Sequence, residues 1–437
     1  MRRVCGLVCG LLLLALPVAA WITDTAIHPP PYCGVYAYES FTPASPAFPA
    51  VGGTYLDPIF GEVFTRLTNV YPSTTAGSPI IYGVNGRWNA DNTAFIHSLS
   101  GTIVVLNPTT GATIRSGVPY PSGTTGEQSF DPVSANIYYY TSGTTLQQYD
   151  ISTGSSSTVK NFGSTLGGLG QSADWIDTTG TYFLLNIAGS ARVWKKSTDT
   201  LYTGSITIPS DVTTGGWAGI SPDGNYVIFS HANFGTNHPK GSFAVNHGTT
   251  TLSTTEVIFW DAGGSDHGDV LTASDGNTYM IVPQALYSMS GSTRHLFRAL
   301  VTNNVAGLGS AQLTATGNQM LLPVLSSNTV GNGDFACGAK GAYQDWCYAN
   351  IADPADTLGN PGTWYAYRQE TFMIHMVAPF EVRRLMHHRA RPHRGYCRQV
   401  RMSATWDGSK IMFTSPFSAP DPNADCGYSD LYRWDAP

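Results

Sequence analysis

A short phrase recurs along this chain and restricts it to a narrow set of architectures. Ile220-Ser221-Pro222-Asp223-Gly224 precedes the apolar run Asn225-Tyr226-Val227-Ile228-Phe229, and Ala404-Thr405-Trp406-Asp407-Gly408 precedes Lys410-Ile411-Met412-Phe413. Each copy reads as a strand, an Asp-Gly turn and a second strand, since aspartate bonds back to the following amides and glycine accepts a positive φ. A closing phrase follows the strands, as Leu106-Asn107-Pro108-Thr109-Thr110-Gly111, as Tyr149-Asp150-Ile151-Ser152-Thr153-Gly154 and more loosely as Trp194-Lys195-Lys196-Ser197-Thr198-Asp199. Asn107 and Asp150 stand 43 residues apart, Asp150 and Lys195 45. Both spacings fall inside the period of roughly 40 to 50 residues of propeller blades. The expected fold class is all-β, a β-propeller of four-stranded blades. The spacing counts seven of them, with six or eight as the neighbouring counts.

The blades are expected at 86–118, 127–162, 170–209, 216–259, 266–314, 320–385 and 397–437. The β-like stretch from Tyr55 to Leu67 precedes the first of them, so it is expected to supply the outer strand of the last and close the ring from the N-terminal side. Residues 1–20 combine Arg2 and Arg3, an apolar stretch at Leu11 to Leu16 and a small-residue end at Val18-Ala19-Ala20. That is the pattern of a secretory signal peptide, and it places the protein outside the cytoplasm, secreted to the extracellular space or the periplasm. Residues 21–54, with Pro29-Pro30-Pro31, Pro43, Pro46 and Pro49, read as an extended N-terminal arm, because proline denies a ladder donor. Residues 55–437 then form a single propeller domain, with insertions at 331–363 and 383–398.

Seven cysteines are present, and Cys5 and Cys9 leave with the leader. In an oxidising compartment the natural local pairs are Cys337 with Cys347 and Cys397 with Cys426, leaving Cys33 as the odd thiol. Only 12% of the residues are charged and the net charge is −6. With no long basic run outside 383–398, the composition argues against a nucleic-acid partner. No segment after the leader is apolar enough for a membrane span.

In a propeller the innermost strand of each blade lines the axis, and residues two apart on a strand point the same way. Counting back from each turn selects Glu127, Gln171, Trp217, His267, Asp269, Gln399 and Arg401 as a polar ring around one opening. Asp266 or Asp269 would orient the His267 ring and hold one tautomer. The alternative for these positions is a water-filled channel whose polar lining carries no chemistry. A second cluster, His387-His388-Arg389-Ala390-Arg391-Pro392-His393-Arg394 followed by Cys397-Arg398, offers guanidinium groups to an anion. It is not favoured as a divalent metal site, because adjacent His387 and His388 point apart on an extended segment and no carboxylate lies within it; no metal ligands are assigned. The Gly-X-Ser-X-Gly elbow, the phosphate loop and the dinucleotide fingerprint are all missing.

The phrases from Ser221 to Phe229 and from Thr405 to Ser415 resemble the blade motif of TolB-type propellers. Within that superfamily the arrangement is similar to the oligogalacturonate lyases, secreted or periplasmic seven-bladed enzymes that cleave acidic sugars by β-elimination. Those lyases lead into the final blade with a glutamine and closely spaced histidines that hold a divalent metal. This chain has Gln399, with Arg401 and Ser403 where the histidines would stand, closer to propeller lyases that use histidine, tyrosine and arginine. The resemblance implies an acidic polysaccharide or oligosaccharide as partner. Arg401, with Arg398 or Arg389, would neutralise the uronate carboxylate, and His267 would take the proton beside it. His388 or a tyrosine would protonate the leaving oxygen, with Glu127, Gln171, Trp217, Asp269 and Gln399 contacting substrate. Two non-catalytic readings stand beside this one: a secreted propeller that binds a glycan or a protein, and a surface or matrix protein assembled through Cys33 and the arm.

Overall fold

The computed structural model describes residues 21–24, 26, 49–69, 85–99, 102–121, 127–170, 174–232, 239–261, 267–285, 294–325, 334–351, 366–367, 369–390, 400–417 and 429–437. They build seven small antiparallel sheets arranged as a seven-bladed propeller. Blade 4 shows the plan: Trp217–Ile220, Tyr226–Ser230, Lys240–Asn246 and Val257–Trp260 run outward from the axis. Blade 5 repeats it with Asp269–Thr272, Thr278–Ala285, Arg294–Leu300 and Gln319–Leu325, and blade 6 with Asp334–Cys337, Trp346–Asn350, Glu370–His375 and Val382–His387. Burial separates inside from outside. Every residue of Trp217–Ile220, Asp334–Cys337 and Met402–Ala404 is buried, whereas the outer strand Ser155–Asn161 is largely exposed. An inner strand meets neighbouring blades on both faces, so the usual alternation of a half-wet strand is lost there.

The recurring phrase owes its shape to one hydroxyl and one carboxylate. Ser221 Oγ donates to Asp223 Oδ1 and accepts the Tyr226 amide at 2.9 Å. Thr405 Oγ1 does the same with Asp407 Oδ1 and the Lys410 amide, at 2.7 and 3.0 Å. Gly224 and Gly408 sit at φ +75° and +68°, where a Cβ is strained.

Blade 7 is built from both ends of the chain. Met402–Ala404, Lys410–Ser415 and Asp430–Asp435 are completed by Val63–Arg66, and Thr54–Leu56 pairs outside that strand. Phe64 stands opposite Trp434, Thr65 opposite Arg433 and Arg66 opposite Tyr432, so the expected closure by an N-terminal strand is observed. Buried Arg66 pairs with buried Asp430 at 2.6 Å, and Thr68 Oγ1 donates to the other carboxylate oxygen. Blades 1 and 7 are further joined through two indoles: Trp406 Nε1 donates to Trp88 O at 2.9 Å and Trp88 Nε1 to Ser403 O at 3.3 Å.

The chain is phased differently from expectation at blades 5 and 6. Gln319–Leu325, read as the start of the sixth blade, is the outer strand of the fifth. Asp334–Cys337 and Trp346–Asn350, inside the stretch read as the insertion 331–363, are the two inner strands of blade 6; 352–363 lies outside the described residues. The stretch 383–398 opens within the outer strand Val382–His387, and 391–398 is likewise outside the described residues. The Cys337–Cys347 disulfide is present and ties the paired inner strands of blade 6. Cys33, Cys397 and Cys426 are outside the described residues. Among those described, no helix is long and apolar enough to cross a membrane.

Candidate functional site

An innermost strand pairs on one side only, so the amides on its axial side need acceptors from elsewhere. In blade 4 the carbonyls of Leu169 and Asp174 accept the Ala218 and Ile220 amides at 2.6 and 2.9 Å; elsewhere carboxylates supply several of them. Asp269 of blade 5 accepts the Cys337 amide of blade 6 at 2.6 Å, and Asp334 of blade 6 accepts the Met402 amide of blade 7 at 2.8 Å. Glu127, just before the inner strand of blade 2, accepts the Leu169 amide. Asp174 reaches further. Its two oxygens accept the Asn85 and Gly86 amides of blade 1 at 3.1 and 3.0 Å. Asn85 Nδ2 in turn donates to Cys337 O and Thr405 O at 2.8 and 3.0 Å. The turn at Asn85–Arg87 thus bridges blades 3, 6 and 7. It depends on Gly86, whose Cβ would meet Ser129 Oγ at 1.9 Å.

Asp269 and Asp334 are buried and Glu127 and Asp174 half-buried, and desolvation of the charged form raises each of them. Glu127 is pushed up to about 7 and Asp174 to about 6, with Arg87 restraining both. Burial pushes Asp269 well above the carboxylate range, and the nearby charge of Asp174 adds to the rise. Asp334 is raised by burial and restrained by the charges of Arg401 and His267. Arg87 is buried, and the Gln128 amide oxygen, turned toward it, accepts from both Nη atoms at 3.1 and 3.2 Å. Two of these carboxylates, Asp174 and Asp269, line a cavity walled by blades 3 to 7, together with Trp217, Pro222, Ala339 and Trp406.

Glu127, Trp217, Asp269 and Arg401 all stand where an inner strand begins, and His267 lies two residues before Asp269. The charges of His267 and Arg401 both act on Asp334 and lower it against the effect of burial. Gln171, Arg398 and Gln399 are outside the described residues. His388 and Arg389 are not brought to this opening. They follow the outer strand of blade 6, and three strand spacings, about 14 Å, separate an outer from an inner strand. His388 is fully buried, its Nε2 on Ile351 O and its Nδ1 accepting the Ala390 amide. Arg389 Nη2 donates to Tyr55 OH, and its guanidinium lies over the Tyr55 and Phe417 rings at 5.0 and 5.5 Å. Arg389 holds the blade 6 edge against the N-terminal strand Thr54–Leu56, while His388 ties it to Ile351 of blade 6 and, through its carbonyl, to Ser415 of blade 7. That location removes His388 as the proton donor and Arg389 as the carboxylate clamp expected from the sequence.

Sequence reasoning missed Asn85, Arg87, Asp174 and Asp334. Asp334 lies seven residues before Gly341, as Asp269 does before Gly276 and Arg401 before Gly408. The signal was therefore present, but Lys340-Gly341 in place of Asp-Gly concealed it.

The fold and its axis define a class: a seven-bladed β-propeller in which carboxylates near the axis bridge several of its blades. An oligogalacturonate lyase from Vibrio parahaemolyticus shares the fold at a TM-score of 0.51 and 13% identity, with 88% of this chain and 96% of that one covered. An oligogalacturonate lyase solved in complex with manganese superposes at a TM-score of 0.50 and 14% identity, with the same coverages. At such identities the likeness is one of fold. No family model matches the chain, and no curated protein matches it. Among the described residues no group of three or more histidine, cysteine, aspartate or glutamate side chains is placed to hold a metal ion. The carboxylates at the axis accept backbone amides, so the residues described do not fit a divalent ion.

Proposed function

We propose that this chain is a secreted β-propeller that acts on a uronate-containing polysaccharide, cleaving it by β-elimination at the opening where the inner strands begin. The observation that carries this reading is that His267 and buried Arg401 stand at the entries to the inner strands of blades 5 and 7, and that both their charges act on Asp334 of blade 6. Elimination needs a cation beside the uronate carboxylate, so that charge developing on the enolate is stabilised. Arg401 supplies it. His267 takes the proton from the carbon next to that carboxylate. The electron pair of the broken C–H bond becomes the new C=C bond as the glycosidic C–O bond breaks. The leaving oxygen then needs a proton, and His267, now protonated, returns the one it took.

Purified protein incubated with a panel of uronic-acid polysaccharides is expected to generate the ultraviolet absorbance of unsaturated product. Arg401→Ala and His267→Ala are each expected to reduce turnover at least about a hundredfold, the ordinary contribution of a general base or an oxyanion donor. Silence across the panel removes the reading. A second reading is favoured by the carboxylate bonds from blade to blade, which do structural work without any substrate. In that case the propeller binds a glycan or protein without turning it over, and Arg401→Ala reduces binding while no product forms with either protein.

A further inference from the structure

Blade 6 ends on the strand Val382–His387, and an outer strand presents unpaired backbone groups unless something covers it. Here the cover is the chain's own segment immediately after the leader-like residues 1–20. Ile22 bridges Arg384 antiparallel, the Arg384 amide donating to Ile22 O at 3.0 Å. Fully buried Arg384 also clamps the segment through its side chain. Nη1 donates to Ala26 O at 2.7 Å and to Asp24 O at 3.4 Å, while Nε and Nη2 are fixed on Glu370 at 2.7 and 2.6 Å. Tyr367 OH donates to Asp24 O at 3.3 Å. Trp21 packs on the cluster between blades 6 and 7. The Arg383 guanidinium lies 5.2 Å from the Trp21 ring and 4.4 Å from the Trp346 ring, and Glu381 holds it in a two-point bond at 2.8 and 2.9 Å. Backbone carbonyls are read by one arginine and an indole by another, a chemistry that selects a peptide with tryptophan just before the residue that pairs with the edge.

We propose that the blade 6 edge is a docking site for a peptide that begins on tryptophan and pairs at its second residue, occupied here by Trp21 to Asp24 and Ala26 once the leader ahead of Trp21 has been removed. The proposal rests on the secreted reading above. A signal peptidase adds water across the Ala20–Trp21 bond, leaving a carboxylate on Ala20 and an amine on Trp21. It needs extended, accessible backbone on both sides of that bond, and Trp21 packed beside Arg383 does not offer it. Cleavage therefore precedes docking, and the edge closes last.

The test exports the full chain from cells, sequences the N-terminus of the product and follows amide exchange. The product is expected to begin at Trp21. In Trp21→Ala the Arg384 amide is expected to exchange about tenfold faster or more, a local opening, while Asp334–Cys337 keeps its protection and so reports an intact fold. A synthetic peptide of residues 21–26 added to Trp21→Ala should restore the Arg384 protection, and the same peptide carrying alanine first should not. Unchanged Arg384 exchange in Trp21→Ala, or equal protection in a product that retains its leader, overturns the proposal. Uronate turnover, measured on the same samples, is expected to be equal in both proteins, so a failed edge and a failed lyase reading give separate results.

Discussion

At the residue scale the axis is governed by the difficulty of keeping carboxylates charged beneath other side chains. Glu127 shows it most simply. In the folded chain burial raises it from 4.5 to about 7, whereas the unfolded chain releases that proton near the ordinary glutamate value. Between those values the folded state binds more protons, so the stability linked to this group is complete below the unfolded value and is lost as pH rises through about 7. The loss is on the order of 3 kcal/mol. Glu127→Gln keeps an acceptor for the Leu169 amide but cannot ionise. Its unfolding free energy should match the parent near the acid end of this window and exceed it increasingly as the pH passes neutrality, as read from urea denaturation at a series of pH values. A constant difference across the series would show that the carboxylate is not what titrates. The residues legible in the sequence at this scale were those before an Asp-Gly-like turn, Trp217, Asp269 and Arg401, whose phase could be counted. Asn85 was not legible, because its blade turns through Asn92 at φ 60°, and Asp174 stands three positions past the counted Gln171, an odd step that the two-residue count passes over.

At the scale of single elements, blade 6 is where pattern and structure diverge. Met320-Leu321-Leu322-Pro323-Val324-Leu325 reads as a buried strand beginning a blade, yet an outer strand looks the same once loops cover it. The true inner strand, Asp334–Cys337, is short and lies in a Gly- and Asn-rich neighbourhood. Composition there says loop, and long-range pairing overrides it. The disulfide compensates for so short a strand. Cys337 and Cys347 stand opposite each other across the ladder and ten residues apart in sequence. A loop that small removes little entropy from the unfolded chain, so the double variant Cys337→Ala/Cys347→Ala should lose no more than about 3 kcal/mol. Denaturant unfolding should show the midpoint falling with an unchanged slope, and the exchange of Trp346–Asn350 amides should rise before that of other blades. A loss shared equally by all seven blades would mean that blade 6 does not open by itself.

At the scale of the whole molecule, ring closure was readable because Tyr55 to Leu67 is a strand without a blade of its own, and a propeller with an open last blade would leave an edge at the seam. The closing strand bonds on both sides. The Arg66 amide donates outward to Gly53 O, and the Leu67 amide inward to Leu431 O at 2.8 Å. Since successive amides on a strand alternate in direction, the Thr65 amide points inward, to the strand Asp430–Asp435. Thr65→Pro removes that donor from the middle of the ladder without touching the axis or the Arg66–Asp430 pair. Unzipping of this strand frees blade 7 on its outer side and lets the ring relax, so calorimetry should show a lower midpoint and a separate early transition in place of a single one. The exposed edge of Asp430–Asp435 should also pair between molecules, seen as concentration-dependent association on size-exclusion chromatography. A Thr65→Pro protein that melts in one transition at the parent temperature and elutes as the parent would show that the seven blades hold together through their inner strands, with the clasp contributing nothing to closure.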